Sequence, residues 1–172
     1  RKIIACMCNN EVMSLNYEVN EIDKIELLDM SLKDGHRIYI RGILYIMAKA
    51  LNEVYPEALL SVNYQLSSAM FCKIDNMEIT DEMIANVKAR MQEIINQNLE
   101  IRKVVMTKEE AEEFYSNEKT LRGIVQIDNT QKEGVSLYYC EDYFNYFFGV
   151  MPVTTAYTDV FDVIEYGDGF LV

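Results

Sequence analysis

A single histidine, two prolines and no tryptophan are the scarcities of this sequence. With only His36 present, no histidine pair or cluster can hold a metal. Any Ser/His/Asp or Cys/His arrangement would have to use that one residue. Its setting, Asp34-Gly35-His36, reads as a turn before a helix and not as a catalytic centre. The chain also lacks a G-x-x-x-x-G-K-[ST] phosphate loop, a G-x-G-x-x-G turn and an H-E-x-x-H pair. No run of 18 or more apolar residues occurs, so no segment reads as a membrane span. No long apolar signal stretch follows Arg1-Lys2-Ile3-Ile4, and the expected location is the cytoplasm. Both ends read as cuts in a longer polypeptide. Basic residues are outnumbered 16 to 28, a formal net charge of −12. Nucleic-acid binding rests on cations that neutralise phosphates, so this balance argues against it.

What is present is an ordinary globular composition, 50% hydrophobic and 26% charged. Cys6, Cys8, Cys72 and Cys140 lack framework spacing and read as reduced, buried thiols. Cys6 and Cys8 fall two apart in an apolar run, on one face of a strand. They have no partner pair for a zinc ribbon. Alternation predicts strands over 2–8, 11–15 and 24–30, with Asn9-Asn10 as the first turn. Ile40, Ile43, Leu44, Met47, Leu51 and Val54 recur at helical spacing and predict a helix over 37–55, stopped by Pro56. Two antiparallel strands follow over 59–64 and 69–74. Thr80 is placed to cap a long helix with its buried stripe at Met83, Ile84, Val87, Met91, Ile94 and Ile95. A strand over 99–106 leads to Thr107 and Glu110, which form a T-x-x-E capping box. Further strands are expected over 123–127, 135–140, 143–148 and 160–166. The order implies an α+β fold, an antiparallel sheet packed on a long helix.

Two local features invite chemistry. The acidic run Glu109-Glu110-Ala111-Glu112-Glu113 opens a helix, where a solvated face compensating the helix dipole is the simpler reading. The cluster Tyr138, Tyr139, Tyr143, Phe144, Tyr146, Phe147 and Phe148 would place half its rings in the core. The other half is left for a cleft or a partner surface.

Four motifs, in order, resemble the second additional, editing-like domain of threonyl-tRNA synthetases, a fold shared with alanyl-tRNA synthetases. Arg41-Gly42-Ile43-Leu44-Tyr45-Ile46 with Tyr55-Pro56 is similar to that family's R-H-x-x-x-H helix and Y-P end. Ile79-Thr80-Asp81-Glu82, continuing to Asn98-Leu99-Glu100-Ile101, resembles its long helix. Thr107-Lys108-Glu109-Glu110-Ala111 resembles its S-x-E-E-A helix start. Asp142-Tyr143-Phe144 through Pro152 stands in place of its D-x-x-D-L-C-R-G-P-H segment. The resemblance implies an editing-like domain over 32–172, preceded over 1–31 by the C-terminal part of a β-grasp TGS domain. It also implies where a metal or catalytic water would be held, and those places read Gly42, Ile46, Phe147 and Met151. None of these supplies a histidine or cysteine ligand or a general base. The four are expected to converge, with Gly42 making room for Phe147. No catalytic, cofactor-binding or metal residue is assigned.

The same pairing of TGS and degenerate editing-like regions resembles the N-terminal part of bacterial uridine kinase-like nucleoside kinases. The function that resemblance implies is a non-catalytic accessory region whose partner is the kinase domain of the same polypeptide. ATP and Mg are then implied for that kinase domain and not for this chain. A stand-alone module binding a small molecule or protein, a metal-free editing-type hydrolase and a homodimer all stay open.

Overall fold

Residues 2–116 and 134–172 are described by the computed structural model. They fall into two compact units, Arg1–Leu99 with Val150–Val172, and Glu100–Gly149. The expected strand over 123–127 lies outside the described residues. The fold is α+β with antiparallel sheets. No helix among the described residues is long and apolar enough to cross a membrane.

The first unit opens with β1 (Ile3–Cys8), which turns through Asn9 and Asn10 into β2 (Glu11–Met13). Both asparagines adopt positive φ, 50° and 69°. That is the left-handed backbone of a tight hairpin, a conformation Asn tolerates better than most side chains. Then β3 (Ile25–Asp29) pairs with the other side of β1, giving the order β2-β1-β3. Asp23 ties the connecting loop to the hairpin, accepting from the Asn9 side chain at 2.8 Å and the Asn20 amide at 2.7 Å.

The helix α1 spans Lys33–Val54 and so begins earlier than its apolar periodicity foretold. Asp34-Gly35-His36 is not a turn ahead of the helix; it lies in the helix's first turn. The reason lies at Gly35, where a Cβ would come 2.0 Å from the carbonyl oxygen of Asp29. Glycine is needed there for the close approach of the helix to the end of β3. Burial of Ile38, Ile43, Tyr45, Met47, Ala50 and Leu51 places the apolar stripe of α1 in the core.

A second sheet follows the order β4-β5-β10-β9, from β4 (Leu60–Leu66), β5 (Ala69–Ile74), β9 (Ile164–Tyr166) and β10 (Gly169–Leu171). The strand expected over 160–166 is shortened to β9. Ahead of it, the Val160 amide is taken by the Tyr39 hydroxyl and the Val163 amide by the Asp162 carboxylate. The last strand, β10, went unread in the sequence. It returns from β9 through Gly167, whose φ is +61°. Between β5 and these strands comes α2 (Asp81–Gln97), capped as expected by Thr80, which accepts from the Met83 amide at 3.2 Å. Asn98 ends it in the left-handed region at φ 51°.

In the second unit, β6 (Arg102–Thr107), β7 (Gly134–Cys140) and β8 (Tyr143–Tyr146) form the sheet β6-β7-β8. The helix α3 (Lys108–Ser116) starts on the expected capping box. The Glu110 amide donates to Thr107 Oγ1 at 3.2 Å, and the Thr107 amide donates to Glu110 Oε2 at 2.9 Å. Ala111, Val135 and Leu137 form the centre of this unit, with Met106, Tyr139, Phe144 and Tyr146 packed against them.

Candidate functional site

Gly42 lies in the middle of α1, where glycine disfavours helix by about 1 kcal/mol relative to alanine. Its surroundings explain why it is tolerated. A Cβ at this position would come 2.7 Å from Pro152 Cγ and 2.7 Å from Thr158 Cγ2. No real side chain fits at those separations without moving its neighbours. The segment 150–160 is held along the helix by other contacts as well. The Arg41 guanidinium donates to the Val150 carbonyl. The Tyr39 hydroxyl donates to the Val160 carbonyl and accepts from the Val160 amide, both at 2.7 Å.

The same segment is pinned from the side of α2. Thr155 is fully buried, and its hydroxyl donates to the Ile94 carbonyl at 2.8 Å while accepting from the Leu99 amide at 2.9 Å. Its own amide donates to the Leu99 carbonyl at 2.9 Å. Thr158, also fully buried, donates back to the Thr155 carbonyl. Two buried hydroxyls, Thr155 on the end of α2 and Thr158 on the Thr155 carbonyl, therefore fix residues 155–158. Each group has its hydrogen bond, so burial costs little.

Ile46 and Met151, two further places where the resemblance implies ligands, are buried in this unit. Phe147 belongs to the second unit and is half-buried there. Gly42 was expected to make room for Phe147. The side chains that occupy the room are instead Pro152 and Thr158, because the chain after Val150 runs directly over the glycine. The sequence signal that could have found them was an unforced glycine inside a strongly apolar helix.

The remaining candidates are structural in their contacts. His36 donates its amide to the Leu32 carbonyl at 2.9 Å and is half-buried. It lines an apolar cleft of about 280 Å³ with Met30, Ile40, Ile43, Phe161 and Leu171. All four cysteines are buried, and none is in a disulfide. Burial pushes the Cys72 thiol up to about 12. Burial, reinforced by the Asp23 carboxylate, also raises Cys8. Neither is a thiolate at neutral pH, so neither is a ready nucleophile. Among the described residues no three His, Cys, Asp or Glu side chains gather as a metal site. The acidic run faces solvent at the start of α3, and Lys108 reaches Glu112 at 3.8 Å. In the aromatic cluster, Tyr138 is buried and donates to the Gly149 carbonyl, while the Tyr139 and Phe144 rings pack with centroids 5.6 Å apart. Phe148 alone of the cluster is largely exposed.

One polar group was not anticipated. Lys49, on α1 two turns beyond Gly42, is completely buried. Its ammonium meets Glu53 at 2.7 Å, Glu53 meets Arg90 of α2 at 2.6 Å, and Arg90 meets Glu93 at 2.7 Å. Burial alone would raise the Glu53 carboxyl, but donation from Lys49 and Arg90 overrides it and holds the group below its ordinary value.

No family model matches the chain. It is, however, similar to threonine–tRNA ligases over most of its length. The probable cytoplasmic enzyme of Enterocytozoon bieneusi is 27% identical over 166 residues, which is 96% of this chain and 26% of that protein. The Listeria welshimeri enzyme is 26% identical over 167 residues, again 96% of the chain and 26% of the enzyme. The Clostridium kluyveri enzyme is 24% identical over 140 residues, covering 81% of the chain and 22% of the enzyme. The chain thus spans about a quarter of the length of the curated relatives it matches.

Proposed function

We propose that this chain is a non-catalytic accessory region derived from the editing-like part of a threonyl-tRNA synthetase. The observation that carries the reading is Gly42. Where the resemblance calls for a ligand-bearing side chain on α1, the space is occupied by Pro152 and Thr158, and a Cβ would meet both at 2.7 Å. An editing centre must admit water and a substrate ester beside its ligands. Here the corresponding wall is packed shut and carries the apolar Ile46 and Met151. The reading predicts that the chain does not deacylate mischarged threonine-accepting tRNA. Measured hydrolysis by the purified chain that disappears on a point change within it would overturn the proposal. It would move the protein to the class of metal-free editing hydrolases.

The wider setting we propose is the N-terminal region of a uridine kinase-like nucleoside kinase, in the cytoplasm. The kinase domain of the same polypeptide would be the partner, and ATP and Mg would belong to that domain alone. Residues 1–31 are read as the end of a TGS-like β-grasp domain. This rests on the antiparallel sheet β2-β1-β3 and on similarity to synthetases that takes in 96% of the chain. Reading the gene beyond Val172 tests the setting. A phosphate loop there supports the kinase, and synthetase catalytic motifs would replace it.

A further inference from the structure

The chain leaves the first unit after Leu99 and re-enters it at Val150. The two crossings are tied to each other. The Leu99 amide donates to Thr155 Oγ1, and the Thr155 amide donates to the Leu99 carbonyl, both at 2.9 Å. Thr155 Oγ1 also donates to the Ile94 carbonyl at 2.8 Å, which fastens the returning chain to the end of α2. The Arg41 guanidinium holds the Val150 carbonyl itself. Each of these bonds joins two groups of the first unit, so the mouth of the insertion is closed by the first unit alone.

The regular structure of the second unit is likewise its own. Among the described residues, β6, β7 and β8 pair only with one another. The box that starts α3 joins Thr107 to Glu110, and Tyr138 donates to the Gly149 carbonyl of the same unit. Its centre is small: Ala111, Val135 and Leu137, with half-buried neighbours around them. The first unit completely buries Tyr45, Ile46, Met47 and Ala50 on α1, and Met91 and Ile94 on α2. Stabilisation scales with the apolar area buried, so the two units differ in what holds them folded.

We infer that β6, α3, β7 and β8 open together as one cooperative element while the first unit stays folded, the Leu99–Thr155 clasp remaining shut. Opening then leaves the first unit with a longer loop between bonded ends. Such a loop costs little more, because closure entropy grows only with the logarithm of length. Elements of low local stability are those from which moving parts of proteins are drawn. The second unit is therefore the part of this chain whose population a ligand or partner can shift at the smallest cost.

Native-state hydrogen exchange of the intact chain, read amide by amide in rising urea below the global transition, tests this. The β6–β7 and β7–β8 ladder amides should share one opening, populated at least about tenfold more than the opening that exposes α1 and α2. Leu137→Ala should speed exchange of that ladder by a further thirtyfold, roughly, as expected for a buried leucine. The amides of α1 and α2 should keep their rates in this variant, and so should the Leu99 amide, since its acceptor is Thr155. A variant whose second unit does not fold at all, with α1 and α2 still protected, supports the inference equally. A single opening shared by both units would overturn it. So would a Leu137→Ala chain in which α1 and α2, or the Leu99 amide, lose protection in step with the ladder.

Discussion

Two stretches of the same helix treat polarity in opposite ways. At Gly42, α1 presents bare backbone to Pro152 and Thr158, and a proline ring rests on it. Two turns on, it buries a full positive charge at Lys49, with Glu53 and through it Arg90 arranged to meet that charge. The contrast follows from the cost of a buried group. An ammonium without a partner would be expelled or neutralised, whereas a paired one can stay. Bare glycine backbone has no charge to pair, and close packing of neighbouring atoms is what stabilises it. The helix is therefore held by shape at Gly42 and by a paired charge at Lys49.

The largest effect should come from Gly42→His, which forces a ring into space held by Pro152 and Thr158. Overpacking of this kind costs about 3 kcal/mol or more, read as a lowered urea midpoint. Gly42→Ala sharpens the test through its sign. Helix propensity alone would stabilise the alanine variant by about 1 kcal/mol, so a loss of stability can come only from the packed neighbours.

At the other stretch, Lys49→Met should cost about 2 kcal/mol, less than the usual penalty for breaking a buried pair because Arg90 still serves Glu53. Its pH dependence is specific. The Glu53 carboxyl is depressed in the folded protein, so its contribution is present above its unfolded value of 4.5 and is lost as pH falls through the lower folded value. The wild type should lose stability over that acid window more steeply than Lys49→Met. Equal slopes would show that the charge pair does not stabilise the fold.

The smallest expected change is Thr155→Val, which keeps the volume but removes the hydroxyl shared by Ile94 and Leu99. About 1–2 kcal/mol should be lost, since the Leu99 amide is left without that acceptor. Hydrogen exchange at Leu99 should rise with it. An unchanged rate would mean that packing at Pro152, and not the threonine clasp, holds residues 150–160 in place.

Most of this architecture was legible locally. The Thr107–Glu110 box, the Thr80 cap and the Asn9-Asn10 turn depend on neighbours within a few residues, and each forms as read. The buried stripe of α2 came from periodicity, and five of its six members are buried within 5% exposure while Ile84 is half-buried. Where reading failed, a distant backbone intervened. Asp29 beside Gly35 lengthened α1, and the Tyr39 hydroxyl took the Val160 amide and so shortened β9. The places at 42, 46 and 151 could be named from the resemblance, but not what fills the first of them.

By itself, then, the sequence determined the helices, their caps, the tight turns and that Gly42, Ile46 and Met151 carry no histidine or cysteine. These follow from short-range sterics, hydrogen bonding and the chemistry of single residues. Only the tertiary structure decided that Pro152 and Thr158 close over Gly42 and that Lys49 is buried with a partner. Such facts rest on contacts between residues tens of positions apart, where packing at close range selects among arrangements that local preferences leave equal.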